Sequence, residues 1–314
     1  KCGKESVIRL GYGPHSFCQE HFEYFFEKRV RNVTRMNQFF DNEDVIGVAC
    51  SGGKDSVVVL NLMRAIMPRN TIVGISIDEG IDGYRDKAIV EAEKNYRALD
   101  IEYKIVELKK EIGNSMQEIV QKTHENGWKE NSCTFCGVFR RKYINTAARE
   151  MGATKLVTGH NLDDETQSIA MNLFSGRVER LARSGAKIET HHEEKWVPRV
   201  KPLYTSPEDE VELFAQMKKY PHYNEVCCPF SHGADRNMYR LMIDQLEMKR
   251  PGSKYGLLNA FLKMKPALEK MESTSTLHAC ETCGELSSQT QCQACVYEKK
   301  IRGAGELEHV RTPQ

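Results

Sequence analysis

The chain has little net charge and no long hydrophobic run, and each absence excludes a class of protein. Across 314 residues, Lys and Arg total 45 against 44 Asp and Glu, a formal net charge of +1. A uniformly basic nucleic-acid coat or a polybasic membrane binder is therefore excluded, and any basic surface must be local. No stretch of about 18 apolar residues occurs, so a membrane-spanning helix is not expected. No charged start followed by an apolar segment resembles a secretory signal, and the cytoplasm is the expected compartment. The remaining composition, 40% hydrophobic and 28% charged, suits one large core with small appendages. Against this background the chain carries eleven cysteines. Disulfide stapling is a poor explanation for them in a reducing compartment.

The cysteines fall into three groups. Cys280, Cys283, Cys292 and Cys295 spell Cys-x2-Cys-x8-Cys-x2-Cys in a polar stretch, with Gly284 placed for a tight knuckle. Four thiolates at this spacing close a tetrahedron and leave no open position, the pattern of a structural zinc site. Near the start, Cys2, Cys18 and His21 supply three ligands of a mixed zinc knuckle. A cysteine lying just before residue 1 would complete that set. Between the ends lie Cys133 and Cys136, as Cys-x2-Cys, and the adjacent pair Cys227 and Cys228, which only the fold can bring together. These soft ligands are compatible with an iron–sulfur cluster, with zinc or with a persulfide relay.

Val45 to Cys50 is a short apolar run of the kind found in a buried parallel strand, followed by Ser51, Gly52, Gly53, Lys54, Asp55 and Ser56 and then an apolar helical stretch from Val57 to Met67. Such a loop lets the backbone approach a phosphate, and the helix presents its N-terminal amides to an anion. Further strands are expected at Thr71–Asp78, Ile101–Leu108 and Lys155–Thr158. Helices are expected at Gly83–Leu99, Lys110–Glu125 and Val138–Met151. The alternation predicts an α/β fold with a doubly wound parallel sheet and its ligand at the strands' carboxyl ends, where Ser51, Asp78 and Gly159 fall. Beyond Gly159 come His160, Asn161, Asp163 and Asp164. The two carboxylates suit magnesium or a ribose, and they also suit capping of the helix that begins there.

The SGGKDS loop resembles that of the ATP pyrophosphatases. Together with Cys-Thr-Phe-Cys at 133–136, Gly-His-Asn-Leu-Asp-Asp at 159–164 and Cys-Cys-Pro-Phe at 227–230, it makes the chain similar to the TtcA/TtuA family of tRNA 2-thiolation enzymes. The likeness is nearer to the TtuA and archaeal NcsA branch and runs from Cys2 to about Cys295. It implies a pyrophosphate-loop domain, placed at 41–272, with zinc fingers at 1–40 and 273–314. It implies ATP and Mg2+ at Ser51, Gly52, Gly53, Lys54, Asp55, Ser56, Ile77, Asp78, Arg140, Gly159, His160 and Asp164. It also implies a 4Fe-4S cluster on Cys133, Cys136 and Cys228 with one iron left open for sulfide, and two Zn2+ in the fingers.

The implied reaction adenylates the C2 oxygen of a tRNA uridine, at the wobble position by likeness to NcsA, and then transfers sulfur. Lys54, Asp55, Asp164, Cys133 and Cys228 are its expected catalytic residues. Thiolation of a T-loop uridine, sulfur transfer by persulfide, another adenylating pyrophosphatase, and a non-catalytic zinc protein that binds RNA or carries sulfur are the competing readings. The sulfur would come from sulfide or a ubiquitin-like thiocarboxylated carrier, and a homodimer is implied by likeness alone. Two basic clusters, Lys28, Arg29, Arg31 and Arg35, and Arg177, Arg180, Arg183 and Lys187, are candidates for RNA contact. The stretch from Ser175 to Trp196, with His191 and His192, is a candidate mobile loop. Cys50 is expected to be structural, and Cys227 is a spare thiol, a substitute for Cys228 or a bystander.

Overall fold

A computed structural model describes residues 2–188, 195–225, 228–231, 235–272 and 278–310. Cys227, His191 and His192 lie outside the described residues.

The chain opens with an antiparallel hairpin of β1 (Ile8–Arg9) and β2 (Ser16–Phe17), followed by α1 (Gln19–Met36). Phe22, Phe26, Val30 and Val33 recur on one face of α1 and are buried, as an amphipathic helix requires. The alternating region follows: β3 (Val45–Ala49), α2 (Lys54–Ile66), β4 (Thr71–Asp78), α3 (Arg85–Ala98), β5 (Glu102–Glu107), α4 (Leu108–Ile112), α5 (Met116–Glu125), α6 (Ser132–Glu150), β6 (Lys155–Thr158), α7 (Leu162–Phe174), α8 (Val178–Ala182), β7 (Lys187–Ile188) and β8 (Arg199–Val200). Three helices complete the main body, α9 (Glu208–Lys218), α10 (Arg236–Lys249) and α11 (Ser253–Glu272). A small hairpin of β9 (His278–Ala279) and β10 (Leu286–Ser287) leads into α12 (Gln293–Val310).

The central sheet has the order β5-β4-β3-β6-β8-β7, parallel throughout except for the antiparallel edge strand β7. This is the doubly wound arrangement expected from the alternation. Its two faces bury separate apolar clusters. Ile46 and Val48 of β3 join Phe22, Phe26, Val57, Leu60, Phe214 and Phe261 on one side, where Phe26 stacks on Phe214 at 4.5 Å between centroids. Val73 and Ile75 of β4 and Leu156 of β6 join Phe135, Phe139, Tyr297 and three of the C-terminal cysteines on the other.

Two boundaries differ from the periodicity reading. The stretch expected as one helix from Lys110 is split by Gly113 at φ +80° and restarted by a capping box between Ser115 and Glu118. The helix expected from Val138 begins at Ser132, because the Asn131 side chain accepts the Thr134 amide at 2.9 Å and caps a turn that the apolar pattern does not mark. Cys133 and Cys136 therefore stand on the first turns of α6. Within Ser175–Trp196, α8 and β7 are regular elements, and residues 189–194 are outside the described residues.

Gly74 is tied to packing rather than to a turn. A Cβ there would lie 2.1 Å from Tyr96, a ring that is fully buried and hydrogen-bonded through its hydroxyl to Ser76 at 3.0 Å. Gly74→Ala should therefore destabilise the fold by about 1–3 kcal/mol through overpacking, measured as a lower urea midpoint with an unchanged m-value.

Candidate active site at the carboxyl edge of the sheet

The loop after β3 is shaped by close backbone approach. Gly52 adopts φ +84°, and a Cβ on it would stand 1.8 Å from the Ala88 carbonyl of α3, so only glycine fits. A Cβ on Gly159, where β6 ends, would lie 2.9 Å from the backbone of Asp55 and Ser56. The first turn of α2 and the end of β6 are thereby held together. Gly53 caps α2 without a side-chain acceptor, and Ser56 bridges the loop by accepting the Ser51 amide at 3.1 Å and donating to the Gly53 carbonyl at 2.8 Å. The N-terminal turn of α2 forms one wall of a cavity of about 460 Å3, the arrangement that favours a bound anion.

Its floor is the sheet face formed by Ala49, Ile75, Ile77, Leu156 and Thr158, and its roof is α6 through Gly137, Arg140, Arg141 and Ile144. Ser51, Gly53, Asp55, Ser56, Gly159, His160 and Asp164 all line it. Two loop and strand-end residues are placed differently. Lys54 pairs with Glu208 of α9 at 2.8 Å and with Asp55 at 3.3 Å, and Asp78 accepts the Gly80 amide at 2.8 Å to close its own turn.

The two adjacent aspartates of α7 diverge. Asp163 is buried, accepts the Glu208 amide at 2.8 Å and pairs with Lys254, so its work is to dock α7 on α9 and α11. Asp164 closes a capping box with Asn161, through bonds of 3.1 and 3.2 Å. Its other oxygen faces Arg236 at 2.8 Å on the cavity wall. Capping and cavity roles coexist in this one residue. Asn161 also donates to Asp55 at 2.9 Å. Burial raises the pKa of Asp55 against the pull of Lys54, and raises that of Asp164 against the pull of Arg236. Two partly desolvated carboxylates beside an anion site form a donor set suited to a hard divalent cation.

Five arginines line the cavity, Arg85, Arg140, Arg141, Arg199 and Arg236. Of these the sequence singled out only Arg140. Arg199 is lowered to about 10, first by burial and then by the neighbouring Arg141 charge, and Arg141 is itself lowered by burial, Arg180 and Arg140. Positive charge is thus concentrated here without full compensation. Glu79, at the end of β4, was also not singled out. It is buried and meets Arg85 on one side and Arg140 at 3.2 Å on the other.

The three central thiols are grouped on and beside the roof helix, with Cys136 and Cys228 near the cavity-lining Arg140. Cys133 and Cys136 project from α6, and Cys228 joins them from a turn in which Ser231 caps its carbonyl at 2.7 Å. The Cys133 thiol faces the Phe230 carbonyl at 3.9 Å. Burial pushes Cys136 up to about 12, with Arg140 opposing the shift and Cys228 and Cys133 adding to it. Burial also raises Cys228, and its neighbours include Cys133, Glu79 and Arg140. The three sulfurs do not crowd to single-ion spacing, because the described clusters with ligand atoms within 4.8 Å of one another are two others. Thiols that bind different irons of one cluster stand wider apart than thiols on one zinc. The donor set of three soft ligands, partly screened from solvent, fits a cluster.

The two tight groups are the terminal ones. Cys280, Cys283, Cys292 and Cys295 converge, with sulfur separations of 3.8 Å for Cys280–Cys295 and 3.6 Å for Cys283–Cys292. Burial opposes the thiolate of Cys280, yet the amides of Cys292, Cys283 and Thr282 outweigh it and bring its pKa down to about 6, as a metal ligand requires. At the other end Cys2 and Cys18 lie 3.6 Å apart and Cys18 lies 3.1 Å from His21 Nδ1.

Residues 25–246 match the family model described as PP-loop domain. The chain is 34% identical to the tRNA 2-thiolation protein NcsA of Haloferax volcanii, over 94% of this chain and 96% of that protein. It is 37% identical to the cytoplasmic tRNA 2-thiolation protein 1 of Schizosaccharomyces pombe, over 96% of this chain and 91% of that one. Among solved structures, the U34-tRNA thiolase NcsA of Methanococcus maripaludis with its 4Fe-4S cluster is similar at a TM-score of 0.78 and 34% identity, covering 96% of this chain and 95% of that chain. A matching PP-loop model over residues 25–246 and relatives of this identity along almost the full length place the chain in the tRNA 2-thiolation family of PP-loop proteins.

Proposed function

We propose that the chain is a tRNA-uridine 2-sulfurtransferase acting at the wobble uridine in the cytoplasm. It would consume ATP to activate the C2 oxygen before sulfur replaces it. The observation that carries the reading is the roof helix of the cavity: the N-terminus of α2 forms the opposite wall, and α6 lines the cavity through Arg140 while carrying Cys133 and Cys136 beside Cys228.

In this reading the ATP phosphates lie against the Ser51–Ser56 loop and the α2 amides, with the arginines of the cavity neutralising their charge. Lys54 would leave Glu208 for the phosphates, and Asp55 and Asp164 would hold Mg2+. Attack by the uridine C2 oxygen on the α-phosphorus releases pyrophosphate, and displacement by sulfur then releases AMP. A 4Fe-4S cluster on Cys133, Cys136 and Cys228 supplies, when bound, an iron position left open for sulfide. Sulfide or a ubiquitin-like thiocarboxylate would be the donor. We assign zinc to the two terminal cysteine groups, take residues 41–272 as the catalytic domain between fingers at 1–40 and 273–314, and take the working form as a homodimer.

The tRNA contact is assigned to the second basic cluster together with Lys28, Arg31 and Arg35 of the first. Arg29 is engaged with Glu210 at 2.8 Å and Tyr12 at 2.7 Å and is not available to a phosphate. Arg180 is lowered by burial and then by the charges of Arg177 and Arg183, and it acts in turn on Arg141 at the cavity wall. A basic path thus leads from α8 to the site.

Anaerobically reconstituted protein given ATP, Mg2+, sulfide and unmodified tRNA should form AMP and 2-thiouridine, with mass spectrometry locating the thiolated base at the wobble position. Product in the T-loop would replace the wobble assignment, and absence of tRNA-dependent AMP would overturn the enzyme. Lys54→Ala and Asp164→Asn should each slow AMP formation on the order of 100-fold.

A second prediction concerns metal. Elemental analysis should find zinc retained by Cys280, Cys283, Cys292 and Cys295, and a Cys292→Ser variant should lose it and unfold at lower temperature.

The third concerns pH. His160 lines the open cavity and is reached by its solvent; it bonds through Nδ1 to Thr158 at 2.8 Å, and its pKa is held below the usual value by the enclosing protein first and then by Lys201, Arg236, Arg140 and Arg199, an effect that solvent in the cavity weakens. Below a pH of about 6.5 the unfolded chain takes up a proton that the folded chain refuses, so this residue makes stability fall as pH falls. His160→Gln should flatten the decline in unfolding free energy between about pH 6.5 and 5, measured by urea titration.

A further inference from the structure

The Glu79 carboxylate meets arginines from both halves of the site. It sits at the carboxyl end of β4, is only 3% exposed and receives two arginines. Arg85, from the start of α3, also donates to the Ser51 carbonyl at 2.9 Å and to the Ile77 carbonyl, and so braces the phosphate loop from beneath. Arg140 comes from α6, one turn beyond Cys136, and both Cys136 and Cys228 lie within the field of Arg140 and Glu79. The backbone of Glu79 is fixed as well, since its carbonyl accepts the Met116 amide at 2.7 Å. The carboxylate is thus ion-paired to two guanidiniums from different elements, by charge and proximity rather than by aligned hydrogen bonds.

We infer that Glu79 is a positioning residue for the thiolation reaction: it holds Arg140 between the nucleotide loop and the cysteine trio while keeping Arg85 on the loop's backbone. Without it Arg140 would be drawn to whatever anion is nearest, and the spacing between the phosphates and the thiols would be lost. Asp cannot substitute fully, because its carboxylate is withdrawn by one methylene and cannot reach both partners. The inference rests on the thiolation reading for its kinetic consequence and on geometry alone for its electrostatic one.

The test uses full-length, anaerobically reconstituted protein carrying Glu79→Gln, Glu79→Asp, Arg140→Lys and the Gln/Lys pair. With tRNA present, Glu79→Gln should lower kcat for AMP formation by at least about tenfold while KM for ATP changes by less than about threefold. Glu79→Asp should recover part of the loss. The double variant should be no slower than Glu79→Gln alone within about threefold, because both changes break the same junction. In the absence of tRNA and ATP, removing the negative charge should move the cluster's midpoint potential in the positive direction, followed by EPR-monitored redox titration. Full activity of Glu79→Gln, additive losses in the double variant, an unshifted potential, or a kcat loss that vanishes below the variant's unfolding range would overturn the inference. If the wild-type protein forms no AMP with tRNA but the potential still shifts, the thiolation reading fails and the link from Glu79 to the thiols stands.

Discussion

The constraint on which the site depends is the fastening of α6 across one face of the sheet. A helix lying over the carboxyl ends of β3, β4 and β6 makes a cavity only if it is pinned, and the C-terminal module does the pinning. Tyr297 of α12 packs on Phe135 at 4.5 Å, Glu298 accepts from Lys142 at 2.6 Å and from Tyr143 at 3.2 Å, and Asn145 donates to the Glu285 carboxylate at 3.0 Å. Cys280, Cys292 and Cys295 belong to the same apolar cluster as Phe135 and Phe139. A metal bound by the terminal knuckle would therefore stabilise the surface against which the roof helix is packed. The C-terminal module is a buttress of the site, although none of its described residues lines the cavity.

The opposite wall is held by different means. There the chain uses absent side chains: Gly52 lets the loop touch Ala88, and Gly159 lets the end of β6 touch the first turn of α2. Asn161 then ties the segment after β6 to Asp55 in the first turn of α2 by a 2.9 Å bond. The anion-binding wall is rigid because backbone meets backbone, and the thiol-bearing wall is rigid because aromatic rings meet. Glu79 lies where the two constructions face each other, which is why a single carboxylate there contacts arginines from both.

What was legible in the sequence divides along the same line. The phosphate loop could be read because its strand, glycines and helix are contiguous, and the terminal cysteine quartet because ligand spacing is itself local. The central trio could not be assembled from spacing, since Cys228 reaches Cys133 and Cys136 only through the fold. Its grouping rested on resemblance. The start of α6 was misplaced by six residues because its signal is a polar cap, Asn131, and not an apolar period. The cavity arginines Arg85, Arg199 and Arg236 carried no local signal at all. Each is one charge in a polar neighbourhood, and each acquires meaning only from a partner on another element, as Arg236 does from Asp164 72 positions earlier.

Arg29, a candidate RNA ligand in the sequence, is consumed internally by Glu210, and Lys201 and Lys254 are likewise taken up by Glu165 at 2.6 Å and by Asp163. Those pairs fasten elements to one another and contribute nothing to the external field. Arg141, Arg180 and Arg199 are different, since burial and mutual repulsion depress all three. A site that holds like charges close together in the free protein stores unfavourable electrostatic energy, and an arriving polyanion relieves it.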